Sequence, residues 1–588
     1  MHITERGICM ITDDFNVILK QGMKCNLQKE VISDDIQICR FNLQWDDINY
    51  RDNDAFEIIW EVPMIDISYT WSPMNGNCHS VLPNWSKCYD SMISFNAPAG
   101  ISYNGKSESK YSWALSECKK LVQTRLGVVE KNGMLECFVK LPLKQFENIR
   151  ESVLEIYISK KEEPIADAAQ RISDWWESIG MKPCFVPDSA KDPLYSFWYS
   201  YHQDLTAQVI EEECARAKEL GFDTCIVDDG WQTDDTNGGY SYCGDWEVGL
   251  TKIPDMKEHV KRVQKMGMKY LLWFSVPFMG KNAKKFNDFK DMTLNDAENG
   301  AVVLDPRYKK VREFLLGIYK KALQEWNLDG FKLDFIDSWW DDDSNAPYNP
   351  DMDIPVLQDA VDTFMTSVYN ELSSIKNDIL IEFRQQYIGP NMRRFGNMFR
   401  VADCPNDILT NRRGSLDLRM MMGNSAVHSD MLMWNKDELP EVAALQIVSV
   451  LFSALQYSAR LENMSAAMKK MSMFWVGFMK EHKNLLLEGR LTVYEPHLNY
   501  TWVKATTDDE CIAAVYAIDK CVKPDLKGRM YIANGCAGDR VIVDMTGEFN
   551  VVVYNCYGEK TTEYDEKFNG ITSIAVPVGG LAILRRNN

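Results

Sequence analysis

One short stretch, Phe331-Lys332-Leu333-Asp334-Phe335, puts two charged residues inside an otherwise apolar segment. The segment has the character of a buried strand, in which successive side chains point to opposite faces. Lys332 and Asp334 therefore share one face, and the three apolar residues share the other. Because buried charges are costly unless they are paired, this face indicates either a functional site or a structural salt bridge at a strand end.

Strands and helices alternate on both sides of this stretch, between residues 190 and 490. Eight strands with intervening helices are typical of a (β/α)8 TIM barrel. The predicted strands are Ser196–Ser200, Thr224–Asp228, Lys269–Phe274, Gly330–Asp334, Ile379–Phe383, Met398–Ala402, Val427–Leu432 and Phe452–Gln456. The predicted helices include Leu205–Leu220, Met256–Met266, Lys310–Trp326, Val356–Ser373 and Glu441–Val450.

The segments that flank the barrel alternate as antiparallel strands do. Residues 1–164 predict an N-terminal antiparallel β-sandwich, and residues 165–189 a helical linker. Residues 190–490 then form the catalytic barrel, and residues 491–588 a small C-terminal β-sandwich. The sequence therefore predicts a multidomain protein.

Charge and composition limit the partners of this 588-residue chain. Its net charge of −20 disfavours nucleic acid and anionic membrane, and a neutral ligand fits better. No secretory signal or long apolar run is apparent, so we expect a cytoplasmic protein. The sixteen cysteines have no paired spacing, which favours reduced thiols over disulfides or zinc sites.

No motif in the sequence calls for a metal or a cofactor. The acidic run Asp341-Asp342-Asp343 lacks the glycine and the terminal glutamate of an EF-hand loop, so we predict a solvated loop there. We found neither a phosphate-binding loop nor a Ser/His arrangement. We therefore expect chemistry carried by side chains alone.

Polar and aromatic residues stand at the C-terminal ends of successive predicted strands, where TIM barrels hold their active sites. They are Asp228, Asp229, Trp231, Trp273, Lys332, Asp334, Glu382, Arg384, Arg400 and Asp403. Sugar hydroxyls accept and donate hydrogen bonds to groups of both charges, and the apolar faces of sugars stack on indole rings. These residues, at what we call the barrel mouth, therefore predict an oligosaccharide or glycoside substrate.

Two carboxylates on different strands are the minimum apparatus for glycoside hydrolysis. Asp334, beside the Lys332 cation, should stay ionised and suits a nucleophile. Asp403, two strands further on, can face it as the acid. Carboxyl groups about 5–5.5 Å apart would mean retention of anomeric configuration, and a gap of about 6.5–9.5 Å would mean inversion.

Two motifs resemble glycoside hydrolase family 36, the α-galactosidases or melibiases of clan D. Lys332-Leu333-Asp334-Phe335 is similar to the family's nucleophile motif, and Asp228-Asp229-Gly230-Trp231 to its strand-two motif. The order of sandwich, barrel and small β domain also resembles the family. The resemblance implies a retaining, exo-acting α-galactosidase that needs no cofactor and that is compatible with homo-oligomers.

The same resemblance implies roles for individual residues. Asp334 would be the nucleophile and Asp403 the acid/base. The resemblance also implies sugar-binding roles: Asp228 and Asp229 for the 4- and 6-hydroxyls, Lys332 for the hydroxyls near C3 and C4, Trp231 or Trp273 for the ring face, Arg400 for the 2-hydroxyl, and Arg307 for an unspecified part of the substrate. Glu382 and Arg384, at the end of the fifth predicted strand, are further substrate-binding candidates.

The sequence departs from the family pattern in three places. Glu382-Phe383-Arg384-Gln385-Gln386-Tyr387 replaces a Cys-x-x-Gly-Gly element that reads the C2 and C3 substituents, and the segment after Trp273 lacks a customary glutamate. Asp403 follows an alanine where a serine is usual, so Asp407 competes for the acid role. These departures leave α-N-acetylgalactosaminides and α-glucosides as alternative substrates.

Two further readings belong to other functional classes. A lysine within a barrel strand also suits a Schiff-base aldolase that uses Lys332. A carbohydrate-binding protein without catalysis is the third reading. His428, near Asp430, either contacts substrate or is a histidine buried among hydrogen-bond partners.

Overall fold

The computed structural model describes residues 2–586 apart from 5–6, 12–13, 21, 46–53, 75, 77, 147–149, 298, 341–344 and 524–527. The acidic run Asp341-Asp342-Asp343 lies outside the described residues. Antiparallel sheets come first, an eight-stranded parallel barrel follows, and a further sheet ends the chain. This order confirms the predicted fold class.

Two antiparallel sheets build the N-terminal part. Alternating apolar residues of both sheets meet in one core, where the Trp60 indole donates to the Tyr111 hydroxyl at 2.6 Å. The strands are β1 His2–Thr4, β2 Gly7–Ile11, β3 Asn16–Leu19, β4 Met23–Ser33, β5 Ile36–Trp45, β6 Ala55–Pro63, β7 Tyr69–Trp71, β8 Tyr89–Ser91, β9 Ala99–Tyr103, β10 Glu108–Leu115, β11 Val122–Val129, β12 Met134–Pro142, β13 Glu151–Ser159 and β14 Glu163–Pro164.

Helix α1 (Ile165–Ser178) follows these sheets, where the sequence predicts a helix. Its apolar face is buried, and the indole of Trp176 donates to the carbonyl of Leu115 at 2.8 Å. The helix is thereby fastened to the N-terminal sheets by a hydrogen bond as well as by packing.

The barrel strands lie in parallel in the order β24-β23-β22-β21-β17-β16-β15-β25. Parallel bridges from His428 to Ala454 and from Leu432 to Tyr457 bring the two ends of this sheet together. Strands β15 to β25, which include a small sheet of β18, β19 and β20, are Leu194–Ser196, Thr224–Val227, Lys269–Ser275, Phe278–Gly280, Thr293–Asp296, Ala301–Leu304, Gly330–Asp334, Leu380–Arg384, Met398–Arg400, Ala426–His428 and Gln456–Tyr457.

The helices that accompany these strands form the outer layer of the barrel. Helix α3 begins at Thr206, whose side chain accepts from the Val209 amide, and ends at Gly221 in the left-handed region. Helices α2 to α11 are Trp198–Tyr201, Ala207–Leu220, Met256–Lys265, Phe286–Phe289, Lys309–Trp326, Leu357–Ile375, Ile408–Met421, Pro440–Ser449, Ala466–Glu481 and Lys483–Glu488.

The first and last predicted barrel strands were wrong in position. Helix α2 occupies most of the predicted strand Ser196–Ser200, and the strand itself comes earlier. The predicted strand Phe452–Gln456 overlaps the observed one only at Gln456. Both strands are so short that an apolar run extending past the strand hides where it begins or ends.

A last sheet covers residues after 490 and is mainly antiparallel. It pairs the long hairpin of β31 and β32 with shorter strands around an apolar core. Strands β26 to β33 are Arg490–Tyr494, Trp502–Thr506, Glu510–Val515, Cys521–Val522, Arg529–Asn534, Arg540–Tyr554, Lys560–Ala575 and Leu581–Arg586.

None of the helices in the described part of the chain combines the length and the apolar character that a membrane crossing requires.

Candidate active site

Strand β21 divides its side chains between two environments. Phe331 and Leu333 are fully buried, and the Phe331 ring packs near Tyr319 of helix α6. Lys332 and Asp334 point the other way and are almost fully buried as well. The Lys332 ammonium pairs with Asp228 of the neighbouring loop, with 2.6 Å between Nζ and Oδ2. The salt bridge on this strand face therefore joins Lys332 to Asp228 rather than to Asp334, although Lys332 and Asp334 still act on the pKa of each other.

Gly230 fixes the turn that carries Asp228 and Asp229. Its φ is 113°, and a Cβ there would lie 2.5 Å from the Cα of Gln203. Glycine is thus required twice, by the backbone angle and by the close approach. The approach allows the Gln203 amide to donate to Asp229 at 2.7 Å.

Asp229 is a buried carboxylate held by two amides. Gln203 donates to one oxygen, and Gln232 donates to the other at 2.6 Å. Burial raises the pKa of Asp229 to about 6, and the charge of Asp228 acts in the same direction. The carboxylate is fixed in position by neutral donors, which suits recognition of a neutral hydroxyl.

Four donors surround the carboxylate of Asp334. Its Oδ1 accepts from the Arg384 guanidinium at 2.7 Å, the Phe335 amide at 2.8 Å and the Tyr387 hydroxyl at 3.0 Å. Its Oδ2 accepts from the Trp273 indole at 3.0 Å. One oxygen is thus fully engaged, whereas the other has a single donor and keeps a lone pair for another partner.

The charge on Asp334 is stabilised by its surroundings. Burial alone raises the pKa of Asp334, but the charges of Arg384 and Lys332 and the Trp273 hydrogen bond outweigh burial. The net effect holds the pKa well below the ordinary range of an aspartate. Asp334 is therefore an ionised carboxylate at neutral pH, fixed at a strand end.

Arg384 lies over the Asp334 carboxylate from the adjacent strand β22. Its guanidinium also approaches Asp337 at 3.3 Å and lies 5.2 Å from the centre of the Phe335 ring. Phe335 has a φ of 64°, an uncommon angle for a bulky residue. A strained residue next to the buried carboxylate is the kind of feature that clusters at functional sites.

Arg400 of strand β23 connects three carboxylates. It is fully buried and contacts Asp430 at 2.5 Å, Asp403 at 2.8 Å and Glu382 at 3.7 Å. Tyr199 donates to the second oxygen of Asp430 at 2.9 Å. The guanidinium therefore holds Asp403 in place and is itself fixed by Asp430 and Glu382.

Glu382 lies beneath this network on strand β22. Burial raises its pKa to about 7, although the charges of Arg400 and Lys332 act to lower it. The Gln456 amide donates to the carboxyl. Near neutral pH Glu382 is thus partly protonated, which limits the negative charge buried inside the barrel.

Asp403 and Asp407 are clearly different in their surroundings. The side chain of Asp403 is half-exposed at the barrel mouth. Burial and the charge of Asp334 raise the pKa of Asp403, but Arg400 and Lys332 outweigh them and lower it overall. Asp407 instead caps helix α8, where it accepts from the amides of Leu409 and Thr410. Its carboxylate is therefore committed to the helix, which weakens its claim to the acid role.

The two tryptophans that were predicted to stack on the sugar have different surroundings. Trp273 donates to Asp334 and lies near Tyr240 and Phe335 at the mouth. Trp231 is fully buried, donates to the Trp273 carbonyl at 2.8 Å and packs against aromatic rings behind the strands. Both rings are buried, but Trp273 faces the Asp334 carboxylate whereas Trp231 packs behind the strands, so Trp273 is the better placed of the two for a ligand at Asp334.

Arg307 and His428 are bound away from the carboxylates of the mouth. Arg307 forms a bidentate pair with Asp305 and donates to the Ala346 carbonyl at 2.5 Å. His428 is fully buried, its Nε2 lies 2.7 Å from the Ala190 carbonyl, and burial lowers its pKa to about 4. His428 is thus the buried histidine of the two readings, and Arg307 is held by a local structural pair.

Several contact residues could not be found from the sequence. Gln203 and Gln232 hold Asp229, Tyr387 binds Asp334, Gln456 binds Glu382, and Tyr199 binds Asp430. Tyr387 lies in the unusual segment after strand β22, which was a usable signal. The glutamines are ordinary polar residues whose role depends on the closure of the barrel.

Comparison with known proteins gives three kinds of match. Residues 155–385 match the family model described as melibiase. A bifunctional α-galactosidase/sucrose kinase of Mediterraneibacter gnavus is 25% identical over 221 residues, which is 36% of this chain and 23% of that protein. An α-galactosidase of Lactobacillus acidophilus is 25% identical over 209 residues, which is 33% of this chain and 27% of that protein. These alignments span about a quarter of the relatives' length.

The fold extends the likeness to almost the whole chain. The family 36 α-galactosidase AgaA of Geobacillus stearothermophilus, solved in complex with raffinose, superposes with a TM-score of 0.66 at 12% identity. The superposition covers 97% of this chain and 83% of that one. Residues 155–385 therefore match the melibiase family model, and nearly the whole chain has the fold of the solved α-galactosidase.

Proposed function

We propose that this protein is a retaining, exo-acting α-galactosidase that hydrolyses terminal α-galactosides by double displacement. The observation that carries the proposal is the state of Asp334 at the end of strand β21. Its carboxylate is kept ionised, and its Oδ2 accepts only one hydrogen bond, from Trp273. An ionised carboxylate with an available lone pair is the group that a glycosidase nucleophile requires.

In the first step, Oδ2 of Asp334 attacks the anomeric carbon and the bond to the aglycone breaks. The donors on Oδ1 keep the carboxylate oriented as its charge is consumed. Asp403, whose side chain reaches the barrel mouth, gives its proton to the departing oxygen. The product of this step is a β-galactosyl ester of Asp334.

In the second step, Asp403 acts as a base and removes a proton from water. The water attacks the anomeric carbon from the face that the aglycone left, and the bond to Asp334 breaks. Two inversions give α-galactose, so the configuration is retained. The charge of Asp334 raises the pKa of Asp403, and this charge is absent while Asp334 is esterified in the intermediate. The pKa of Asp403 is then lower, so Asp403 is more readily ionised in the step that needs a base.

Recognition of the sugar is assigned to the groups around this pair. Asp228, Asp229 and Lys332 form a fixed polar cluster that suits the 4- and 6-hydroxyls and the hydroxyls near C3 and C4. Trp273 presents its ring near the nucleophile and suits the apolar face of galactose. The names of the relatives, all α-galactosidases, support galactose as the sugar.

The aldolase reading is disfavoured by the charge state of Lys332. Burial lowers its pKa, but Asp228 and Asp334 outweigh burial and raise the pKa above the ordinary value. A Schiff base requires a neutral amine, and a lysine paired at 2.6 Å with Asp228 remains an ammonium.

The test is hydrolysis of p-nitrophenyl α-glycosides of galactose, N-acetylgalactosamine, glucose and xylose. We expect the galactoside to exceed the glucoside and the xyloside in kcat/KM by about 100-fold, because polar groups placed for an axial 4-hydroxyl are left unpaired by its absence. The N-acetylgalactosaminide keeps that hydroxyl and differs only at C2, so its kcat/KM reports how the C2 side of the site is built. A larger kcat/KM for another of the four glycosides would make that sugar the substrate, and the proposed mechanism would still apply. No hydrolysis of any of the four would contradict the proposal.

A further inference from the structure

A cavity opens on the same face of the barrel as the catalytic carboxylates. It encloses about 220 Å³ between the segments that follow strands β15, β24 and β25. Its apolar lining comes from Tyr199, Met433, Trp434, Ala459, Met464 and Met468. Since all three segments follow the C-terminal ends of barrel strands, the cavity belongs to the catalytic face and not to the opposite one.

A chain of hydrogen bonds joins this cavity to Asp403. Tyr199 lines the cavity and donates to Asp430 at 2.9 Å. Asp430 accepts from Arg400 at 2.5 Å, and Arg400 donates to Asp403 at 2.8 Å. Three hydrogen bonds therefore connect a side chain of the lining to Asp403, the group that would protonate the departing oxygen.

The serines of the lining are engaged within the protein, and the two cations of the rim each have a partner as well. Ser200 and Ser458 bind backbone carbonyls, and Ser465 caps helix α10. Arg460 donates to the Ser200 carbonyl, and Lys436 pairs with Asp437. Most of the lining surface is apolar, and it is aromatic and methionine-rich and adapts to flat groups.

We propose that this cavity is the aglycone subsite and that it takes a planar, apolar aglycone, such as the ring of a phenolic or arylalkyl α-galactoside. The inference rests on the proposed function, since only cleavage next to Asp403 leaves an aglycone at this place. An apolar cavity of about 150 Å³ binds benzene, so the present volume holds one substituted ring. A sugar aglycone would leave most of its hydroxyls unpaired here, which is costly.

The test compares 2-phenylethyl α-galactoside with methyl α-galactoside and with melibiose. All three release an alcohol, so differences in kcat/KM report mainly binding of the aglycone. We expect the phenylethyl compound to exceed the other two by about tenfold, because one buried ring removes enough apolar surface from water for that factor. The double variant Met433→Gln/Met464→Gln should lose this preference and leave hydrolysis of the methyl galactoside unchanged.

The control is Met473→Gln, the same substitution at an exposed methionine of helix α10. It should retain the wild-type preference, and thermal midpoints of all variants should agree. The proposed subsite would be contradicted by equal kcat/KM for the three substrates in the wild type, or by equal losses for all three in the double variant. Either result would leave the proposed α-galactosidase activity standing. Failure to hydrolyse any α-galactoside would overturn both.

Discussion

Replacing Asp334 with glycine should lower kcat/KM for p-nitrophenyl α-galactoside by about 10⁴-fold or more, as expected for loss of a nucleophile. The reason is that no other carboxylate described at this strand end combines ionisation with a free lone pair. Steady-state kinetics on the purified variant measure the loss. Because the removed side chain also held Arg384 and Tyr387, the thermal midpoint must be compared with the wild type.

Rescue by sodium azide distinguishes the loss of a nucleophile from damage to the fold as the cause of lost activity. With Asp334→Gly, azide should occupy the emptied space, attack the anomeric carbon and give β-galactosyl azide, the product of a single inversion. The control is the wild type with azide, which should give no such product. Activity of the variant within tenfold of the wild type, or an α-azide as the rescued product, would contradict the role of Asp334.

Replacing Asp403 with alanine should lower kcat/KM by about 10²- to 10⁴-fold for methyl α-galactoside, whose leaving group needs a proton. Hydrolysis of α-galactosyl fluoride should fall far less, since fluoride departs with little help from an acid. With azide the variant should give α-galactosyl azide, because azide then attacks the β-galactosyl ester of Asp334. The matched control is Asp407→Asn, which keeps a good cap on helix α8 and should keep full activity.

The pH dependence follows from the direction of the Asp403 shift. Arg400 and Lys332 hold the pKa of Asp403 below its ordinary value, so the free protein carries little protonated Asp403 at neutral pH. For methyl α-galactoside, kcat/KM should therefore rise as the pH falls from 7 to 5, by up to about tenfold per unit. α-Galactosyl fluoride should lack this rise, and so should Asp403→Ala. A flat profile for the wild type with the methyl galactoside would contradict the assignment.

The sequence was sufficient for the barrel because its central strands are long apolar runs that alternate with helices. The observed strand β21 coincides with the predicted one, and β16 and β17 differ from theirs by one residue. Helix α8 was missed because it is buried on most of its surface, so its sequence lacks a clear polar face. Apolar runs and local periodicity thus identified most barrel elements and missed helix α8, whose buried residues include arginines, an asparagine and a serine.

The candidate site was predictable in its residues but not in its pairings. Charged residues at strand ends indicated where the centre lies, since TIM barrels bring those ends together. The pairing of cations with carboxylates depends on the stagger between neighbouring strands, which the sequence does not reveal. In the structure Lys332 pairs with Asp228, and Arg384 pairs with Asp334. The orientation of Trp231 was not predictable for a related reason, because a position just past a strand end can turn its side chain outward or into the core.

If Asp334 and Asp403 carry out a double displacement on an α-galactoside, the released sugar must first appear as its α-anomer. The most direct measurement is proton NMR of the wild type acting on p-nitrophenyl α-galactoside, recorded before the released sugar mutarotates. We predict that α-galactose appears first, followed by slow conversion to the β-anomer, and that Asp334→Gly gives no early signal. Release of β-galactose first would mean a single displacement and would contradict the proposed mechanism.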